Sequence, residues 1–199
     1  WNLADLSYVD IQNYLDVKDT VLVPMASTEQ HGPHLPLYTD TITAIEISAR
    51  VSEAIGVLHT PPIWAGYSPQ HMYDPGQGRG TITLRSSTLL AVMNDVARSL
   101  IHHGFNRIIF VNGHGSNIKV VDPVLRQLRY ETGALIGFVR PYMERYVGVL
   151  EGLMENPPEE TPGWHSSELE TSQDMAWNPS LVRMERAEDT RAHIPDFLP

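Results

Sequence analysis

Carboxylates and imidazoles crowd the stretch STEQHGPHLPLYTD, where Glu29, His31, His34 and Asp40 lie among Gly32, Pro33 and Pro36. Two further stretches carry the same groups, VNGHGSN around His114 and WHSSELETS around His165, Glu168 and Glu170. Carboxylate oxygen and imidazole nitrogen together suit zinc, manganese, iron or nickel, held at ~2 Å. The chain has no cysteine, so any such site must be built from His, Asp and Glu alone. Glu29 and His31 alternate with Gln30, and in an extended segment alternate side chains point the same way, so both can face one pocket. Asp40, at the expected start of a helix, either reaches that pocket or serves as an ordinary helix N-cap. Glycines on both sides of His114 let the backbone approach a ligand or take positive φ. Asn112 and Asn117 are turn residues, orienters of His114, or caps of the next helix.

Ordered elements have to deliver these groups. The apolar run VLVPM (21–25) predicts a strand, and Ile42, Ile45, Ile47, Val51 and Ile55 then recur at roughly helical spacing. Val57, Leu58, Ile63 and Trp64 indicate a second strand interrupted by Pro61 and Pro62, followed by a Gly/Pro-rich loop from Ala65 to Gly80. Ser86 or Ser87 is the expected cap of a helix with Leu89, Leu90, Val92, Met93, Val96, Leu100 and Ile101 as its buried stripe and Gly104 as its stop. A strand over Ile108–Val111, a helix over VVDPVLRQLRYE and a strand over ALIGFVR complete the alternation. That order predicts an α/β fold with a mainly parallel sheet and helices on both faces, and ligands in such folds sit beyond the carboxyl ends of the strands. The 29–40 loop and the His114 loop both leave from such ends.

The 199 residues are expected to form a single domain, 1–199. A formal net charge of −10 and no basic run argue against nucleic acid and anionic membranes as partners. No apolar stretch approaches the ~20 residues of a membrane helix, and the absence of cysteine fits a soluble, cytoplasmic protein. The chain begins at Trp1 with no signal-peptide pattern, and either end is expected to be trimmed.

The blocks STEQHGPHLPLYTD, FVNGHGSN and WHSSELETS, in that order and approximate spacing, resemble the creatininase (creatinine amidohydrolase) family of metal-dependent hydrolases. The resemblance runs from Val21 to about Ser172. It implies a three-layer α/β/α sandwich, two divalent metal ions and a homo-oligomer, commonly a hexamer. Carried over residue by residue, Glu29 and His31 would bind different ions, Asp40 would bridge them, and His114 would complete the first site. In creatininase the residue two beyond the matching His is a metal-binding Glu; here it is Ser116, so the second site's oxygen ligand is assigned to Glu170, with Glu168 as the alternative. His165 matches the position proposed to shuttle protons, and Glu170 shares that candidate catalytic role. His71, Trp164 and Ser116 are the expected substrate contacts, with Trp164 and the preceding NPPEETPG forming a lid. Arg79 stands where relatives carry a Pro. His34, His59, His102 and His103 are expected around the site or on the surface.

The implied activity is hydrolysis of a small molecule at a cyclic or linear amide, or a related carbonyl, by metal-activated water. Ser116 tells against creatinine as substrate. The leading alternative is ring opening of a cyclic diketone of inositol catabolism, by a 3-dehydro-scyllo-inosose hydrolase-like enzyme. A catalytically degenerate metal-binding subunit or regulator is the reading from another class.

Overall fold

The computed structural model describes residues 1–72, 76, 78–140, 152–155 and 165–188. Four strands, β1 (Thr20–Met25), β2 (Leu58–His59), β3 (Arg107–Asn112) and β4 (Leu135–Val139), form a parallel sheet in the order β2-β1-β3-β4. Helix α1 (Tyr8–Leu15) precedes the sheet, while α2 (Thr39–Ile55), α3 (Ser86–His102), α4 (Ile118–Thr132) and α5 (Glu168–Trp177) follow in chain order. Helices α3 and α4 pack together on one face, α2 covers the other, and α5 packs on α2. This is the expected α/β/α sandwich.

Strand alternation explains the two-sided core. Val21, Val23 and Met25 of β1, with Ile108 and Phe110 of β3, join Leu89, Met93 and Ala97 of α3 and Val121, Val124 and Leu128 of α4. The intervening Leu22 and Val111 meet Val57 and Ile47 on the α2 side. Each large apolar side chain so enclosed contributes ~1.5–3 kcal/mol, which fixes the register because a one-residue slip would turn every one to the wrong face. In that register Met25 pairs with Asn112. The chain segments after β1 and β3 therefore leave the sheet side by side.

Several elements differ from expectation. The buried face of α2 holds Ala44, Ser48 and Ser52, whereas Ile55 and Val51 are exposed; small inward residues let the helix lie close to the sheet. The second strand is only Leu58–His59, because Pro61 and Pro62 lack the N–H groups a ladder needs, and Ile63 keeps a single bridge to Met25. Ser86 is the first residue of α3 rather than its cap, and the N-cap is Arg85 with no side-chain bond. Gly104 does take the positive φ expected of it, 107°. Asp40 is not an N-cap either: α2 is capped by Tyr38, and Asp40 sits inside the first turn. Helix α1 was not among the expected elements; it opens on a capping box in which Ser7 and Asp10 each bond the other's backbone N–H. No helix among the described residues is long and apolar enough to cross a membrane.

Candidate metal centre

Glu29, His31 and Asp40 come from the connection between β1 and α2. That connection is closed by the Glu29 N–H donating to the Leu37 carbonyl at 3.0 Å, with Gly32 turning at φ 66°. His114 arrives from the end of β3. Its approach depends on Gly113, where a Cβ would collide with the carbonyl oxygen of Asp40 and lie 3.3 Å from Ala44 N. Asn112 donates to the His114 carbonyl at 2.6 Å, and Asn117 donates to Asn112 at 3.0 Å and to the Ala26 carbonyl at 3.2 Å. These asparagines thus brace the loops that end β1 and β3. Glu170 enters from the first turn of α5.

Two three-residue groups result, Glu29–Asp40–His114 and His31–Asp40–Glu170, with Asp40 common to both. His114 Nδ1 is 2.8 Å from Asp40 Oδ2 and 3.3 Å from Glu29 Oε1. His31 Nε2 is 3.2 Å from Asp40 Oδ1 and 3.6 Å from Glu170 Oε2. Glu168, the alternative ligand, instead accepts the Glu155 N–H at 2.8 Å, whereas Glu170 is oriented by the Ser166 N–H at 2.5 Å. The structure brings Glu170 and not Glu168 to the cluster.

The remote nitrogens settle what the two rings offer. His31 Nδ1 is 3.1 Å from the Glu29 carbonyl and His114 Nε2 is 3.0 Å from the Tyr67 carbonyl. A carbonyl only accepts, so each of these nitrogens carries the proton. The other nitrogen of each neutral ring is then a lone pair aimed at carboxylates, which is repulsive unless a proton or a cation lies between. Glu29 Oε2 is moreover buried without a hydrogen-bond partner, and Asp40 Oδ2 faces only the His114 lone pair when that ring is neutral, an arrangement that costs free energy unless a positive charge satisfies it. The donor set fits a divalent cation on both counts.

Ser68 Oγ lies 3.1 Å from His114 Nε2, which superficially completes a Ser-His-Asp relay. Ser68 is wholly buried and bonded to Ser27 at 2.5 Å, so it orients His114 and has no route to a substrate. His71 and His165 flank the cluster, each 3.6 Å from Glu29 Oε1, with ring centroids 4.8 Å apart. Gln30, absent from the expected site, bridges them, with Nε2 at 3.0 Å from His71 Nδ1 and 3.2 Å from His165 Nε2. Ser116 accepts from Gln70 at 3.0 Å, outside the cluster. His34 is buried and paired with Thr171 of α5 at 3.0 Å, while His102 and His103 are exposed. Trp164 and the 156–163 segment lie outside the described residues. Thr39 donates to the buried Asp174 at 2.6 Å, which ties α5 to the turn that carries Asp40.

The protein groups polarise one another strongly. Burial alone would lower His114, but Asp40 and then Glu29 outweigh it and raise its pKa to about 10. Burial is likewise overcome at His31, held well above its ordinary value by Asp40 and Glu170. Burial would raise Glu29 and Asp40; the neighbouring imidazoles of His114 and His71 hold Glu29 down, and the charges of His31 and His114 hold Asp40 down. His165 is lowered by burial and then by the charge of His31. At pH 7 a chelator-treated chain therefore carries protons on His31 and His114 that a cation must displace. We expect metal uptake to release about two protons per chain, read as a buffer-dependent heat in titration calorimetry. In the chelated protein the raised histidines stabilise the fold fully below about pH 6.5 and lose that contribution as pH rises toward about 10. The lowered carboxylates contribute above about pH 4.5 and fail as pH falls. Thermal unfolding of chelated protein is expected to peak between those limits.

A parallel α/β/α sandwich with a buried carboxylate–imidazole cluster beyond its strand ends marks an α/β protein with a candidate metal centre. The comparisons narrow this: the creatininase family profile, described as creatinine amidohydrolase, matches residues 4–198, and the chain belongs to that family of hydrolases. It is 30% identical to the creatinine amidohydrolase of Pseudomonas putida, over 99% of this chain and 78% of that one. It is 28% identical to the 3-dehydro-scyllo-inosose hydrolase of Thermotoga maritima, over 95% of this chain but only 59% of that protein's length. A solved creatininase described as the Mn form superposes with a TM-score of 0.81 at 28% identity, covering 98% of this chain and 80% of that one.

Proposed function

We propose that this chain is a dinuclear hydrolase that cleaves a C–N bond of a cyclic or linear amide, or a related carbonyl compound. The observation that carries the proposal is Asp40, buried and shared between two ligand groups whose imidazole lone pairs and unpartnered carboxylate oxygens converge. Glu29, Asp40 and His114 would hold one ion; His31, Asp40 and Glu170 would hold the other. When bound, such ions supply Lewis acidity that lowers the pKa of water from ~15.7 toward neutrality and polarises a carbonyl. The chain's own groups do the rest. Glu170, fixed by the Ser166 N–H, keeps one carboxylate edge on the reacting side, and His165 donates a proton at Nδ1 to the leaving group. His71, Ser116 and the Gln70 amide bonded to it line the substrate's approach.

Zinc, manganese, iron and nickel all suit this donor set; manganese has support from the solved Mn form of creatininase. A second substrate class, a cyclic diketone, is favoured by the match to an inosose hydrolase over 95% of this chain. Ser116, in place of a carboxylate, suits a hydroxyl-rich substrate. A degenerate binding subunit is disfavoured by the intact ligand set. Residues 1–199 as one domain, in a cytoplasmic homo-oligomer, complete the proposal. The exposed Trp1, Tyr8, Val17 and Ile55 supply apolar surface for such an assembly.

Elemental analysis of protein purified without chelator tests the centre. About two ions per chain are expected in wild type, about one in Glu170→Ala and about two in Glu168→Ala. A panel of cyclic amides and inositol-derived diketones then tests the bond cleaved. Wild type that holds no ion after incubation with zinc or manganese would overturn the proposal.

A further inference from the structure

A third acid–imidazole group, Glu29–His31–His165, lies within ligand range alongside the two that share Asp40. Its chemistry turns on which nitrogen of His165 carries the proton, and Gln30 decides that. The Gly32 backbone N–H, which can only donate, lies 2.9 Å from one side-chain atom of Gln30. That atom is therefore the carbonyl oxygen Oε1, so the atom facing the two histidines is the NH2 group. It points one N–H at His71 Nδ1, 3.0 Å away, and the other at His165 Nε2, 3.2 Å away. Both nitrogens must then be lone pairs. The protons sit on His71 Nε2 and His165 Nδ1, the atoms that face Glu29 Oε1 at 3.6 Å.

We propose that Gln30 is a positioning residue that locks His71 and His165 as paired N–H donors toward the Glu29 side of the site, and so keeps both from serving as metal ligands there. The contrast with the other pair is internal to the structure. His31 and His114 donate hydrogen bonds to backbone carbonyls and turn lone pairs inward; His71 and His165 accept hydrogen bonds from Gln30 and turn N–H groups inward. The four imidazoles are thereby divided into two that can hold cations and two that can hold an oxygen. At 3.6 Å neither N–H is committed to Glu29, and both remain free for a carbonyl or a developing oxyanion beside it. Gln30 is itself held: its backbone N–H donates to Thr81 Oγ1 at 3.1 Å. The tautomers follow from hydrogen-bond direction alone; only their use on a substrate rests on the hydrolase reading.

The test is nitrogen-15 NMR of the zinc-loaded full chain labelled at histidine, with His71→Gln and His165→Gln assigning the signals. In wild type, His165 is expected to show a protonated Nδ1 and pyridine-like Nε2, and His71 the reverse. In Gln30→Glu, which offers only acceptors on that side, the two nitrogen shifts of each ring should exchange, with zinc content at or above the wild-type value. Gln30→Met, which removes the donor without adding an acceptor, should give averaged shifts from mixed tautomers. A wild-type His165 protonated at Nε2, or tautomers unchanged in either Gln30 variant, overturns the proposal. Because wild type alone can give that result, a variant that fails to fold does not shelter it. Loss of turnover with the tautomers as assigned would count against the hydrolase reading and leave Gln30's role intact.

Discussion

Asp40→Ala is expected to empty both ion sites together and to lower turnover by at least ~10³-fold. Metal Lewis acidity is worth several kcal/mol to such reactions, and each ~1.4 kcal/mol is a factor of ten. No other cluster residue belongs to both Asp40-containing groups, so no other single truncation has this reach. Asp40 is also the strongest of the charges that raise His114 and His31. Its loss should return both rings toward ordinary titration, visible as a smaller proton release on adding zinc. Asp40→Asn keeps the shape but not the charge and should retain less than one ion. Elemental analysis beside turnover on an amide panel reads both effects; two ions and full rate in Asp40→Ala would end the dinuclear assignment.

Gly113→Ala should give the largest loss of stability for the smallest chemical change. A Cβ there meets three backbone atoms: the Asp40 carbonyl oxygen, the Asp40 carbonyl carbon at 3.1 Å and Ala44 N at 3.3 Å. Overpacking of flexible side chains costs ~1–3 kcal/mol, and rigid backbone places this case at or above the upper end. For a chain of this size ~3 kcal/mol corresponds to a fall of roughly 6–12 °C in Tm. The displaced group is the turn that carries Asp40, so metal affinity should fall with it. Gly115→Ala is the control two residues on, because its Cβ would meet nothing within 4 Å. Equal melting temperatures for the two variants would refute the close approach.

Much of this was legible in the residues. Uninterrupted apolar runs announced β1 and β3, and polar groups directly after them announced the site, because a parallel sheet puts its ligands there. What stayed hidden has physical causes. Helix α2 turns Ala44, Ser48 and Ser52 inward beside Ile42, so Val51 and Ile55 of its apolar set marked the wrong face. Helix α5 buries only Leu169 and Asp174 and docks through Thr39, Thr43 and His34, which leaves no hydrophobic stripe to detect. Gln30 was not singled out, since strict alternation would send it away from Glu29 and His31; the segment bends after β1, and three consecutive side chains serve one site. The choice between Glu168 and Glu170 required the helix itself, since both are acidic residues in its first turn.

The two halves of the cluster are enclosed to different degrees. Glu29, Asp40 and His114 are 2–3% exposed, and in the other group His31 is wholly buried while Glu170, at 13%, is the ligand nearest solvent. Helix α5, which supplies Glu170, is also held largely through polar contacts, Thr39–Asp174, Thr43–Gln173 and His34–Thr171 among them, rather than through a packed apolar face. The consequence is one of residence time. An ion held by the enclosed trio would leave only through local unfolding of the sheet edge, while one held beside Glu170 would exchange with solvent through a shift of a single helix. Removal by chelator should accordingly run in two phases, with the slow one tracking global stability and the fast one hastened by Thr39→Val, which releases Asp174 and with it the hold on α5. Such a chain would pass between ions of different identity at one position while keeping the first it ever bound at the other, and a mixed pair would be its ordinary condition wherever the metal supply changes.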